Sequence, residues 1–267
     1  MKTIARLSLL LTMALCARAA LADPIVLPFD PEYPPMSVAT DAAPEGFDIV
    51  VATEIARELG GEPTFVPSDF NTIQGDGWPD EWAFTVSSTS RSTDREERFH
   101  FVGPYYFAAV VLVKLASDAA TVDPDDPFNL PAGARIGVCD GCIYKAFVEG
   151  NYLSDGEDVD PPLGDVEVLT YAFETDVLRA LVGDTDQPVD YAITSAAFAQ
   201  HFRNLGFPLE QVGPPLFVEP LWITQPLRAP TTERAALEEA FRRVAGAGTI
   251  SQASRDFLGG DFSAPVD

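Results

Sequence analysis

The sequence predicts an α/β fold with mainly parallel sheets, and three observations carry that expectation. Short β-like runs alternate with runs whose apolar residues recur at helical spacing. The alternation occurs twice, with an Asp- and Pro-rich stretch from Ser117 to Pro131 between the two series. The 267 residues, less an N-terminal export segment, suffice for one large domain or for two lobes of roughly 100–130 residues each.

Taken in order, Pro24 to Phe29 reads as the opening strand. Phe47, Val51, Ile55 and Leu59 then fall at steps of four on one helix face, and Gly60-Gly61 supplies the stop. Strands resume at Thr64-Phe65-Val66 and Ala83 to Val86, a polar stretch runs from Ser87 to Arg98, and Phe99 to Val113 is aromatic and β-branched. The second series opens with a strand at Arg135 to Val138 and a helix near Tyr144 to Tyr152. It continues with a strand at Val166 to Leu169, a helix at Thr175 to Val182 with Thr175 as N-cap, and a strand at Tyr191 to Thr194. A helical tail spans Glu233 to Phe257 and breaks near Gly246 and Gly248.

The N-terminus has the form of a secretory signal peptide, residues 1–22. Lys2 and Arg6 precede an apolar run from Leu7 to Leu15, and Ala20-Leu21-Ala22 forms a small-x-small cleavage site. Cys16 follows Leu15, which is not the small residue a lipid-attachment site requires. Export to the periplasm is therefore the expected localisation. The formal charge is −24 and the signal carries three of the basic residues, so the mature chain is more acidic still. Nucleic acid and anionic membranes are poor partners for such a chain, and the excess charge reads as a solvated acidic surface.

Several segments, in order, resemble the solute-binding proteins of polar amino-acid ABC transporters. These are Tyr33-Pro34-Pro35-Met36, Glu45 to Val50, and Ser88-Thr89-Ser90 to Arg95 followed by Phe101 to Tyr106. Arg135 to Val138 with Gly141, Val189 to Ala192, and the ending Phe257-Leu258-Gly259 complete the series. The resemblance implies a two-lobed periplasmic-binding-protein fold (type 2) with two hinge crossings. Residues 23–108 with 219–267 would form lobe 1, and 109–218 lobe 2. A ligand held between the lobes, a permease as partner, a monomer, no enzymatic activity and no cofactor are what the family implies.

Carried over residue by residue, the resemblance assigns Arg95 to the ligand carboxylate, which a guanidinium fork holds by two parallel hydrogen bonds. Ser88 and Ser90 stand where the family presents donors and acceptors beside that arginine, and Tyr33 and Phe70 where it places aromatic walls. Asp30 is placed to meet a ligand cation or to cap a turn. Gly141-Cys142 and Thr194-Ser195 would enclose the ligand from lobe 2. Here the sequence departs from the family, whose ammonium-binding aspartate falls at Ser195. Either another acid, Asp140 or Asp176, supplies that charge or the ligand is not an α-amino acid.

Cys139-Asp140-Gly141-Cys142 occupies the position of a ligand-facing turn, and in an oxidising compartment the pair predicts a disulfide that stiffens it. Thiol exchange, free thiols and a metal are the competing readings, although two cysteines with only His100 and His201 give no zinc spacing. Two functions compete with solute binding. One is a periplasmic accessory to an oxidoreductase with a repurposed cleft, and the other a dehydratase-like enzyme on the same fold.

Overall fold

The computed structural model describes residues 24–117, 126–151 and 163–265, together with the backbone at 153–154 and 157–158. The segment read as an export signal lies outside the described residues, as does 118–125 of the Asp- and Pro-rich connection.

The chain opens with β1 (Pro24–Phe29), a small hairpin of β2 (Glu32–Tyr33) and β3 (Ser37–Val38), α1 (Phe47–Glu58) and β4 (Glu62–Pro67). It continues through α2 (Phe70–Gln74), β5 (Thr85–Ser90), α3 (Thr93–Glu96) and the long β6 (Phe99–Leu115). The second series comprises β7 (Ala134–Cys139), α4 (Tyr144–Val148), the paired β8 (Leu153–Ser154) and β9 (Glu157–Asp158), β10 (Val166–Tyr171), α5 (Glu174–Leu181), β11 (Tyr191–Ser195) and α6 (Ala196–Asn204). The equally long β12 (Leu209–Pro226) leads back to α7 (Thr231–Gly246) and α8 (Thr249–Leu258).

The architecture is α/β, and the strand pairing is mixed. β1 and β4 pair in parallel. The larger sheet has the order β10-β7-β11-β6-β12-β5. Its β10–β7 and β7–β11 pairs are parallel, as strand-helix-strand units require, whereas β6, β12 and β5 run antiparallel to their neighbours.

Apolar side chains collect into cores at the two ends of the β6–β12 pair. One is centred on Phe47, Val51 and Ile55 of α1, with Phe84, Tyr105, Leu221, Leu237 and Ala240. The other lies on both faces of the second series, with Val110, Ile136, Phe147 and Ile193 on one side and Val111, Val177, Leu181 and Phe198 on the other. Burying a side chain such as Phe47, fully enclosed here, contributes about 1.5–3 kcal/mol. Tyr33 packs against both cores.

Several local expectations change. The stretch from Ser87 to Arg98, read as polar, is in fact the end of β5 followed by α3, and every residue of β5 is buried. Its hydroxyls find partners inside, among them Gln74 Nε2 donating to Thr89 Oγ1 at 2.8 Å. Helix α4 stops at Val148 rather than reaching Tyr152. Thr175 does not cap α5: the helix starts one residue earlier with Phe173 as cap, and the Thr175 hydroxyl instead donates to Glu32 Oε2 at 3.2 Å. The tail does break where its glycines stand, with Gly248 at φ 77° between α7 and α8.

Candidate functional site

Between the two cores lies a small cavity, partly open to solvent. Asp30, Tyr33, Phe70, Ser88 and Ser90 line it from the first series, Cys142, Tyr144, Phe173 and Glu174 from the second, and Glu219 from β12. The elements explain the placement. Asp30 follows the end of β1. Phe70 opens α2, whose cap is Asp69, accepting from the Thr72 N–H at 2.9 Å. Glu174 is the first residue of α5, where an acid suits the helix N-terminus.

Ser88 is held in a left-handed conformation, φ 46°, by a buried network. Its N–H donates to Tyr105 Oη at 2.8 Å, and its hydroxyl to Asp48 Oδ2 at 3.1 Å. The Tyr105 hydroxyl donates to Asp48 Oδ1 at 2.7 Å. Burial raises the Asp48 pKa to about 7 in spite of those two hydrogen bonds.

Arg95 is buried just outside the cavity lining, and its fork joins both sides of the cleft. Nη1 donates to the Ser90 carbonyl at 2.8 Å, and Nη2 donates to the Gly141 carbonyl at 2.6 Å. Its guanidinium carbon lies 5.7 Å from the centre of the Phe70 ring. Asn71 Nδ2 donates to Asp140 Oδ2 at 2.7 Å beside it. Gly141, at φ 77°, is required at this approach, since a Cβ there would meet Asn71 Oδ1 at 2.4 Å. The expected bond between Cys139 and Cys142 is present, with Cα atoms 5.5 Å apart, and it closes the turn that carries the Gly141 carbonyl.

The structure brings Asp30, Tyr33, Phe70, Ser88, Ser90 and Cys142 to one cavity, while Arg95 and Gly141 line an adjoining pocket that shares Cys142 and Ile143 with it. Thr194 and Ser195 are buried behind it. Ser195 is the N-cap of α6: its Oγ accepts from the Phe198 N–H at 3.2 Å and lies 3.4 Å from the donating Tyr33 hydroxyl. Asp176 points away and pairs with Arg179 at 3.3 Å. Asp140 lines the cavity, but its oxygens already accept from Asn71 and from the Gly141 N–H.

Two cavity acids escaped the sequence reading. Glu174 and Glu219 are 6% and 2% exposed, and Oε1 of each has no hydrogen-bond partner. Burial raises the Glu174 pKa to about 8; the Thr194 hydroxyl draws it partly back, without meeting hydrogen-bond geometry. Burial likewise raises Glu219 to about 7, against the pull of the Ser90 hydroxyl and the Arg95 charge. Asp30 rises to about 6, chiefly by burial, although its Oδ1 accepts from the Glu32 N–H at 2.9 Å. Glu219 had a legible signal, a lone acid in the apolar run Leu216 to Ile223. Glu174 had almost none, because acids are ordinary at a helix start.

With this geometry in hand, comparison with known proteins is decisive at the level of family. The family of bacterial extracellular solute-binding proteins, family 3, matches residues 25–260. The chain belongs to that family. Among curated relatives, this family 3 member is 28% identical over 162 residues to the lysine/arginine/ornithine-binding periplasmic protein of Escherichia coli, covering 59% of this chain and 60% of that one. It is 22% identical over 156 residues to a probable histidine-binding protein of Campylobacter jejuni, covering 58% of each. The matched region thus spans less than two thirds of those curated relatives. The solved arginine-, lysine-, histidine-binding protein of Geobacillus stearothermophilus shares the fold, with a TM-score of 0.70, 17% identity, and coverage of 90% of this chain and 96% of that one. Among the described residues, no helix is long and apolar enough to cross a membrane.

Proposed function

We propose that this protein captures a small solute of the amino-acid class outside the cytoplasm and delivers it to the permease of an ABC importer. The observation that carries this reading is the cavity between the two cores, lined from both and bordered by an arginine fork that reaches across it. Residues 23–108 with 219–267 would act as one lobe and 109–218 as the other, opening about β6 and β12. As the lobes part, Arg95 releases the Gly141 carbonyl and becomes available to a ligand carboxylate, with Ser88 and Ser90 beside it and Tyr33 and Phe70 as walls. The family membership and the amino-acid-binding names of its relatives support the reading. Cleavage after Ala22 and a monomeric mature protein belong to the same proposal.

The test is thermal unfolding of the mature protein against amino acids, amines, dicarboxylates and keto acids, since a ligand of the folded state must raise the midpoint. One class of carboxylate solutes is expected to raise it. Arg95→Ala should weaken that binding by about 10- to 150-fold, the worth of a charge-assisted hydrogen bond of about 1.5–3 kcal/mol. A folded, ligand-free protein that responds to no solute would overturn the proposal in favour of a protein-docking accessory.

A further inference from the structure

We infer that the cleft selects solutes bearing a protonated amine or guanidinium, and that this cationic group sits at Glu174 and Glu219, each of which keeps one carboxylate oxygen without a donor. The inference rests on the receptor reading above and names the solute class for the same cavity.

A carboxylate oxygen taken out of water needs hydrogen-bond donors, and leaving it without them costs on the order of 1–3 kcal/mol or more. Asp48, equally buried, has its donors in Tyr105 and Ser88. Asp140 has Asn71 and the Gly141 N–H, and Asp30 the Glu32 N–H. Glu174 and Glu219 alone among these acids keep a buried oxygen that no protein donor meets, and both line the cavity. The missing donor is one that a solute can bring. No lysine or arginine is among the described residues lining that space, and Arg95 at its edge already donates to two backbone carbonyls. The cavity is therefore lined by carboxyl groups with no cationic side chain among the described residues. An ammonium or guanidinium offers several donors and a positive charge at once.

At Ser195, the position where the resemblance implies an acid, a hydroxyl caps α6 and accepts from the Phe198 N–H. Glu174 brings a carboxylate into the cavity from the β10–α5 junction instead, with Thr194 of β11 close behind it. Tyr33, Phe70 and Phe173 supply apolar faces around the space, which suit the alkyl part of such a solute and attract its charge.

The experiment is calorimetric titration of the mature protein near neutral pH with solutes matched in shape and unmatched in charge: L-arginine against neutral L-citrulline, and L-lysine against neutral L-norleucine. Agmatine, which lacks the carboxylate, is a further arm. The cationic member of a pair is expected to bind at least ~10-fold tighter, consistent with about 1.5–3 kcal/mol for a charged hydrogen bond. Glu174→Gln, nearly isosteric and checked for folding by circular dichroism, should bring that ratio towards one, with Glu219→Gln acting in the same direction. Tightest binding by neutral or anionic solutes, or a charge preference untouched in both variants, would sink the inference while leaving the receptor reading intact. If no solute of any charge binds, both fall together. Binding of agmatine would show that the acidic pair holds a cation without help from Arg95 and a ligand carboxylate.

Discussion

Two regions of this molecule bury carboxylates and treat them in opposite ways. Beneath α1, Asp48 is fully enclosed and accepts hydrogen bonds from Tyr105 and Ser88. In the cleft, Glu174 and Glu219 are nearly as enclosed, yet each keeps one oxygen without a donor. Burial raises the pKa of all three. Burial and a perturbed pKa therefore do not separate a structural acid from a functional one. What separates them is whether the protein completes the hydrogen bonding itself or leaves it open towards a cavity.

The largest expected effect tests the structural half of that contrast. Asp48→Ala strands the Tyr105 and Ser88 donors in the core and should cost about 2–4 kcal/mol, one to two unsatisfied buried groups. Glu174→Gln replaces a carboxyl whose hydrogen bonding is incomplete and should leave the ligand-free protein as stable or slightly more so. Chemical denaturation of the two variants side by side reads both; equal losses would erase the distinction.

A smaller effect is expected at the turn facing Glu174. Replacing both Cys139 and Cys142 with serine opens a very short loop and should lower stability by about 2 kcal/mol by chain-entropy reckoning. Because the turn carries the Gly141 carbonyl bonded to Arg95, solute affinity should fall as well. Unchanged affinity in a destabilised double variant would show that the bridge serves the fold alone.

The smallest effect is in the pH profile, where the sign is informative. Glu174 and Glu219 titrate higher in the folded protein, at about 8 and about 7, than the ordinary value of 4.5. The folded state therefore holds more protons than the unfolded state between those limits, and ligand-free stability falls as pH rises through that window. A cationic solute favours the ionised carboxylates, so its binding releases protons and tightens over the same rise. Thermal midpoints at constant ionic strength, compared between wild type and Glu174→Gln, should show a shallower slope in the variant. Parallel slopes would remove Glu174 from this account.

Much of the fold was legible because its signals are local. The four-residue spacing from Phe47 to Leu59, the β-branched runs and the paired glycines of the tail each determine an element almost unaided. The tertiary environment overrode local appearance in the stretch Ser87 to Ser90, whose hydroxyls look solvated but are satisfied inside by Gln74, Tyr105 and Asp48. Of the positions read from the resemblance, Tyr33 and Ser88 do line the cavity and Arg95 lies in the adjoining pocket. That Glu174 and Glu219 line the cavity was not legible, since it depends on how distant segments meet, and the helix carrying Asp176 turns it towards Arg179. That Arg95 reaches the Gly141 carbonyl is likewise a matter of two distant segments meeting.

The paired strands β6 and β12 carry a consequence for biosynthesis. The buried side chains of the second core come from one continuous stretch, from Val110 to Val212, so its contacts close within that stretch. The first core is split: Phe47 and Val51 of α1 share it with Leu237, Ala240 and Val244 of α7. A chain emerging from its N-terminus must thus leave the part of the α1 face that meets α7 uncovered until almost every other residue has been made. Closing so long a loop slows folding far more than it costs in final stability. The nascent protein should accordingly depend on the arrival of its last two helices for protection from aggregation, with the second core as the part able to form first.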